Sequence, residues 1–367
     1  MNIVWFTWKD RENPLSGGAE VVTDQLATRL ACDGHTVTLI TAGFPKSTQQ
    51  IDRNGYVIVR VGSRYTSYLA AWRYFSTHRK DLSPDLVIDE CNTMPFFAGW
   101  YTRAPTVLFF HMLCRQIWFY EFPQPLSTIG YLTEPIYLRL LKRCPIITVS
   151  NSTKQALICQ GFKAEGISVI SEGIEFQPVS DLGAIAKYPE PTVLSLGSIR
   201  AMKRTLDQIK AFEIAKVTIA NLKLIVAGDA SGSYGGRVLR AIHQSPYSRD
   251  IEYCGLVGTA KKIELMQRAH VIVATSVQEG WGLTITEASS QGTPAIAYNV
   301  DGLRDSIQDG HSGLVTSENT PRSMADSIVE VIQNPSQYQR LRNNAWNWSK
   351  LVNFDRCYAD FKRVAQT

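Results

Sequence analysis

The sequence predicts an α/β protein made of two doubly wound units facing across a cleft. Three observations predict it. Short apolar runs of strand length alternate with helical stretches, the rhythm of parallel strands joined by crossover helices. That rhythm stops once, in a proline-bearing stretch near the middle, and then restarts. The chain has 367 residues, which suits two cores at roughly 100–200 residues per domain.

The elements follow in order. Ile3–Thr7 reads as a strand and Ala19–Cys32 as a helix. Thr36–Thr41, Val57–Val61, Asp85–Asp89, Thr106–Phe110 and Pro145–Val149 read as further strands, with helices between them. Gln177–Pro191 holds three prolines and little periodicity, so it reads as a linker. The second unit opens with strand Thr192–Leu196, helix Lys203–Lys216 and strand Leu222–Ala227. Strands at Ile251–Tyr253 and Val271–Thr275 come next, and helix Leu283–Gln291 precedes strand Pro294–Tyr298. Ligands of such sheets sit beyond the carboxyl ends of the strands, so the loops after strands are the informative ones.

Composition narrows the function classes. Hydrophobic residues make up 44% and charged residues 19%, a globular balance that needs no disulfide or metal staple. The seven cysteines are odd in number and form no C-x-x-C, so neither a disulfide framework nor a zinc site is expected. They fit a reduced, cytoplasmic compartment. The net charge of +5 is too small for a nucleic-acid binder but suits anionic substrates or an anionic membrane surface. Met1–Trp5 runs straight into a strand without the pattern of a signal peptide, and no apolar stretch reaches the ~20 residues of a membrane span. The expectation is a soluble cytoplasmic protein, at most peripheral at the cytoplasmic face of the membrane.

Three loops and one histidine could carry chemistry. Leu15–Glu20 contains Gly17 and Gly18 before a helix start, where unpaired N–H groups attract anions. It also fits an ordinary strand-to-helix turn. Gly197–Arg204 places Arg200, Lys203 and Arg204 at a helix start, against the preference of the helix dipole, a conflict that a bound diphosphate would relieve. Three solvated side chains are the plainer account. Glu279-Gly280-Trp281-Gly282-Leu283 leads into a helix with Glu287 one turn on. An acidic first turn explains either glutamate alone, but not the glycines beside them. His111 ends the apolar run Val107–Phe110, at the carboxyl end of a strand. G-x-G-x-x-G and G-x-x-x-x-G-K-[ST] are absent from the first loop, which argues against a dehydrogenase or a P-loop enzyme.

Together these residues resemble the retaining glycosyltransferases of the GT-B fold, specifically glycosyltransferase family 4. The strongest stretch is Glu279–Gly313, with E-G-W-G-L-T-I-T-E-A, Gly292-Thr293-Pro294, Gly302-Leu303-Arg304-Asp305 and Asp309-Gly310-His311-Ser312-Gly313. The resemblance implies two Rossmann-like domains: residues 1–176 on the acceptor side and 177–350 binding the nucleotide-sugar donor. A helix over about 351–367 would cross back to the first domain, and Trp346–Val364 has the helical, aromatic pattern for it.

The same resemblance assigns roles. Gly17 and Gly18 would wall the donor phosphate and the reacting sugar, and His111 would stand near the transferred sugar. Lys203 matches the diphosphate lysine. Glu279 would lie beside the transferred sugar and Glu287 would hold the ribose hydroxyls. Gly280, Trp281, Gly282 and Leu283 would bind donor, with amides around Gly282–Leu283 on phosphate. Leu256, in the turn Gly255–Val257, would lie near the nucleobase. The family's Gly-Arg is Gly197-Ser198 here, so Arg200 or Arg204 is expected to supply the missing cation.

The implied reaction is retaining transfer of a hexose-type sugar from a nucleotide-diphosphate sugar to a saccharide or lipid-linked saccharide, in polysaccharide or glycolipid assembly. No cofactor is expected beyond the donor. The chain has no D-x-D motif, so no metal site is implied. The aromatic and basic stretches Tyr65–Lys80 and Phe109–Tyr137 read either as a sugar- or lipid-facing wall with peripheral membrane contact or, more simply, as core aromatics beside a solvated basic face. The alternatives are a nucleotide-sugar 2-epimerase of the same fold and a catalytically silent sugar-nucleotide binder.

Overall fold

The computed structural model describes residues 1–365, arranged as two compact units. The first comprises residues 1–115, 128–175 and the stretch from Phe354 onward; the second comprises 116–127 and 176–353.

The first unit is built on an eight-stranded sheet. Its strands are β1 (Asn2–Phe6), β2 (Thr36–Ala42), β3 (Gln50–Arg53), β4 (Tyr56–Val61), β5 (Leu86–Cys91), β6 (Thr106–Phe110), β7 (Ile146–Thr148) and β8 (Ile167–Val169). Their order is β3-β4-β2-β1-β5-β6-β7-β8. Every pair is parallel except the hairpin β3–β4. Parallel strands are covered on both faces and read as continuous apolar runs, as in the wholly buried β6, Thr106–Phe110. The helix Phe354–Ala365 belongs to this unit, and its Phe361 stacks on Trp5 of β1 with ring centroids 5.7 Å apart. The helical stretch expected over Trp346–Val364 is two helices, Pro335–Ser349 and Phe354–Ala365, separated by a short turn. Residues 366 and 367, the end of the expected crossing helix, lie outside the described residues.

The second unit carries a six-stranded parallel sheet: β9 (Thr192–Leu196), β10 (Lys223–Ala227), β11 (Ile251–Gly255), β12 (Val271–Ala274), β13 (Ala295–Ala297) and β14 (Gly313–Val315). The order is β11-β10-β9-β12-β13-β14. Helices Thr205–Thr218 and Pro321–Gln333 bury Phe212, Ile328 and Val331 against it. The stretch 177–191 has no regular element, yet it is anchored. Lys187 Nζ donates to the carbonyls of Ala269 and Gly292 and to Thr293 Oγ1, at 2.7–2.8 Å.

Candidate active site

In a doubly wound sheet, ligands gather where the strand order reverses. In the second unit that point lies between β9 and β12. The loop after β9 carries Arg200, Lys203 and Arg204; the loop after β12 carries Glu279. The sequence neighbours of these loops tie them together. Thr275, fully buried just past β12, donates from Oγ1 to the carbonyls of Lys203 (2.9 Å) and Arg204 (3.1 Å), and accepts from Gln208 Nε2 at 2.9 Å. The N–H of Val277 donates to Met202 O at 2.8 Å. The N–H of Glu279 donates to Asp301 O at 3.0 Å. Gly302, at φ +80°, lets that next loop approach, because a Cβ there would stand 2.3 Å from Glu279 O.

This lacing brings Lys203 and Glu279 into contact. Lys203 Nζ forms an ion pair with Glu279 Oε1, and Ser276 Oγ donates to the same oxygen at 2.5 Å. The two arginines differ. Arg204 sits in the left-handed region, its guanidinium 2.7 Å from Asp207 Oδ2 and over the ring of Tyr298. Tyr298 OH donates to the same Asp207 oxygen at 2.9 Å. Arg200 is half-exposed, with Glu121 Oε2 3.9 Å away and a contact to Met202 Sδ.

The remaining second-unit residues expected to bind donor lie in the loops after β11 and β12 and on the helix that follows β12. Gly282, at φ +91°, caps the helix Leu283–Ser290 that carries Glu287. Trp281 lies between Gly280 and Gly282 and donates from Nε1 to Thr286 Oγ1 at 3.0 Å, which folds the indole onto the first turn. Glu287 is largely buried and its Oε2 is 2.6 Å from Lys262 Nζ. Leu256 stands exposed just past β11.

In the first unit the strand order reverses between β1 and β5. His111 follows β6 and is 7% exposed. Its Nε2 is 3.3 Å from Oε1 of the fully buried Glu90 at the end of β5, without the in-line geometry of a hydrogen bond. Trp5 Nε1 and Thr23 Oγ1 donate to Glu90 Oε2 at 2.8 and 2.7 Å. Burial disfavours charge on the imidazole, but the neighbouring Glu90, Glu172 and Glu20 outweigh it, and His111 is raised above its ordinary value. Glu172 is itself buried, with Oε2 lacking a hydrogen-bond partner among the described residues. Burial raises it to about 7, opposed by His111. The Gly17 N–H, ahead of the helix Gly18–Cys32, is engaged from within by Glu20 Oε2 at 2.6 Å. Lys9 Nζ is 3.3 Å from Glu20 Oε1.

Sequence reasoning missed Thr275, Ser276, Lys262, Glu90 and Glu172. Thr275 and Ser276 had a signal, since Thr275 ends a predicted strand and Ser276 follows it, just ahead of Glu279. Asp89-Glu90 is also a signal: two adjacent carboxylates in an apolar strand must be held by partners. Lys262 and Glu172 lie far along the chain from the groups they serve and have no local signature.

Residues 184–348 match the family described as glycosyl transferases group 1, and residues 16–177 match glycosyltransferase family 4. The chain is 24% identical to the uncharacterized glycosyltransferase MJ1607 of Methanocaldococcus jannaschii, covering 94% of this chain and 92% of that protein. It is 27% identical to MJ1178 of the same organism over 39% of this chain, spanning only 40% of that relative's length. Among solved structures, sucrose-phosphate synthase of Thermosynechococcus elongatus superposes with a TM-score of 0.81 at 18% identity, over 99% of this chain and 98% of that one. HepE of Anabaena in complex with UDP-glucose superposes with a TM-score of 0.73 at 17% identity, over 100% and 99%. With both halves matched and both sheets in place, the chain belongs to the glycosyltransferases of family 4 and group 1 and has their GT-B fold.

Proposed function

We propose that this chain transfers a hexose-type sugar from a nucleoside-diphosphate sugar to a saccharide acceptor, with retention of configuration and without a metal ion. The observation that carries this reading is the Lys203–Glu279 pair at the switch point of the second sheet. Lys203 stabilises the charge that grows on the leaving diphosphate, with Arg200 as the second cation, as preorganised groups do. Glu279 serves as an anchor for sugar hydroxyls. Its Oε1 is already engaged by an ammonium and a hydroxyl, which suits a hydrogen-bond acceptor better than a nucleophile. Glu287 takes the ribose, Gly282–Leu283 the phosphate, Leu256 the base, and His111 the transferred sugar. The bond from the anomeric carbon to the diphosphate oxygen breaks as the acceptor oxygen bonds to that carbon on the same face. The acceptor's proton passes to the departing phosphate.

The UDP-glucose bound to HepE makes a uridine-diphosphate hexose the first donor to try. The test is incubation with donor alone and then with acceptor, in EDTA, read by NMR. Transfer predicts slow release of free sugar from donor alone and a product that keeps the donor's anomeric configuration. A new sugar nucleotide would mark an epimerase, and no turnover a silent binder. Loss of activity in EDTA that magnesium or manganese restores would overturn metal independence.

A helix face supports a membrane-bound acceptor. No helix among the described residues is long and apolar enough to cross a membrane. The helix Leu126–Leu140, however, leaves Ile129, Leu132, Ile136 and Leu140 each more than half exposed at spacings of three and four residues. The exposed cations Arg139, Lys142 and Arg143 lie at its end, each good for about 1 kcal/mol of attraction close to an anionic leaflet. The reading is a peripheral enzyme of glycolipid or polysaccharide assembly that meets a lipid-linked saccharide at the bilayer.

A further inference from the structure

The first unit holds a cavity of about 580 Å³ at the carboxyl ends of β1, β2 and β4, within the size range of small-ligand sites. Its walls include the rings of Trp8, Phe44 and Tyr65 and the cations Lys9, Arg60 and Arg64. The cations are not equivalent. Arg60 is neutralised: Nε and Nη2 bind both oxygens of Asp10 at 2.8 and 2.9 Å, and Nη2 also reaches Glu12 at 2.8 Å. Lys9 is occupied by Glu20 and by the carbonyl of Leu15. Arg64 has no carboxylate partner among the described residues. Its guanidinium lies 5.5 Å from the centre of the Trp8 ring and 5.8 Å from that of Tyr65. Stacking of this kind orients a guanidinium and leaves its N–H edge for a ligand.

The cavity is built rather than incidental. The bidentate ion pair from Arg60 to Asp10 pins the loop after β1 to β4. Gly62, at φ +63°, turns the chain tightly after β4, where a Cβ would stand 2.8 Å from Ala70 Cβ. Lys9, in the cavity wall, is tied to the start of helix Gly18–Cys32, because Glu20 holds both the Lys9 ammonium and the Gly17 N–H.

We propose that this cavity is the acceptor site and that it takes a saccharide bearing an anionic group, a carboxylate or a phosphate, on Arg64, with an apolar sugar face against Trp8 and Tyr65. The proposal rests on the transfer reading for the word acceptor, but its binding chemistry can be measured without turnover. Three probes suffice: methyl glucuronide, glucose 6-phosphate and neutral methyl glucoside. Their affinities for the full chain are measured by calorimetry, beside Arg64→Ala, Arg64→Lys and Trp8→Ala. UDP affinity and thermal stability are followed in every variant.

At least one anionic probe should bind more tightly than methyl glucoside. Arg64→Ala should weaken that probe roughly tenfold or more, as loss of a charged hydrogen bond does, and leave UDP binding unchanged. Arg64→Lys should restore part of the loss, and Trp8→Ala should weaken charged and neutral probes alike. A preference for the glucuronide identifies a carboxylate, and one for the phosphate identifies a phosphate. Absence of binding by both anionic probes, equal affinity for all three, or an Arg64→Ala variant with unchanged anionic-probe affinity overturns the proposal. Equal loss of UDP binding in Arg64→Ala would assign the cavity to the donor and overturn it too. A wild-type chain that binds the anionic sugars but neither UDP nor a nucleotide sugar would instead sink the transfer reading.

Discussion

Arg200 and Arg204 flank Lys203, but their surroundings assign them different work. Arg204 is held by Asp207 and by the ring of Tyr298, so its guanidinium already helps to pack the helix start. Arg200 is half-exposed and loosely paired, which suits it to the proposed role of second cation in place of the family arginine at Ser198. Arg200→Ala should therefore raise the Kd for free nucleoside diphosphate several-fold with little change in Tm, whereas Arg204→Ala should lower Tm more than affinity. The reverse ranking, read by calorimetry and thermal melts, would exchange the two roles. Glu172 supports a pH prediction. Its folded value of about 7 lies above the ordinary 4.5, so the folded protein holds this proton more tightly than the unfolded chain. The associated stability is present in full below about pH 4.5 and is lost as pH rises through 7, on the scale of roughly 3 kcal/mol. His111, also raised, acts in the same sense. Glu172→Gln removes the carboxyl's share, so Tm of the variant relative to wild type should climb between pH 5 and pH 8. A constant difference would show that Glu172 does not titrate there. At this scale the sequence made Lys203 and Glu279 legible because both lie in glycine-bearing loops directly after strands. Glu172 carries no such mark, since only the folded chain brings it near His111.

At the scale of elements, the site is an arrangement of loops whose spacing is set by backbone contacts. Thr275 holds the carbonyls of Lys203 and Arg204, and Gly302 makes room for the backbone of Glu279. Gly302→Ala should cost ~1–3 kcal/mol from the positive φ alone. It should also displace Glu279, so kcat falls in the fraction that remains folded. Thr275→Val keeps shape but removes the hydroxyl, and should lower kcat while Tm drops only modestly. Unaltered kinetics in Thr275→Val would mean that the Lys203 loop needs no tie to β12. The long strands were legible because buried parallel strands read as unbroken apolar runs. β3, β8 and β14 were not: all three are short strands at a sheet edge, and β3 is polar. The aromatic stretches divided in a way periodicity does not reveal. Phe75, Phe110 and Tyr137 are core, whereas Tyr65, Trp72, Phe119 and Tyr120 are exposed. Residues 116–127, which the expected boundary at 176 assigned to the first domain, group with the second unit.

For the whole molecule, the two α/β units follow from strand rhythm and one break, and residues 177–191, which group with the second unit, lack regular structure as the prolines suggested. What rhythm could not convey is strand order, and therefore where each sheet reverses, which is set by packing of crossovers rather than by local pattern. Replacing Ile129 and Ile136 together with serine should lower the share of protein that floats with anionic vesicles roughly tenfold at low salt, by loss of insertable apolar area. Activity on a water-soluble acceptor should be preserved. Wild-type protein that stays with the soluble fraction on anionic vesicles would remove the membrane from the account. The central claim is that Lys203, paired with Glu279, drives departure of the diphosphate. It is tested most directly by single-turnover release of nucleoside diphosphate from a saturating nucleotide sugar, wild type against Lys203→Ala, with binding of the free diphosphate measured beside it. The expected rate for the variant is lower by roughly 10²-fold or more, as for loss of one preorganised stabiliser, with a smaller loss of ground-state affinity. A variant that releases diphosphate at the wild-type rate would contradict it.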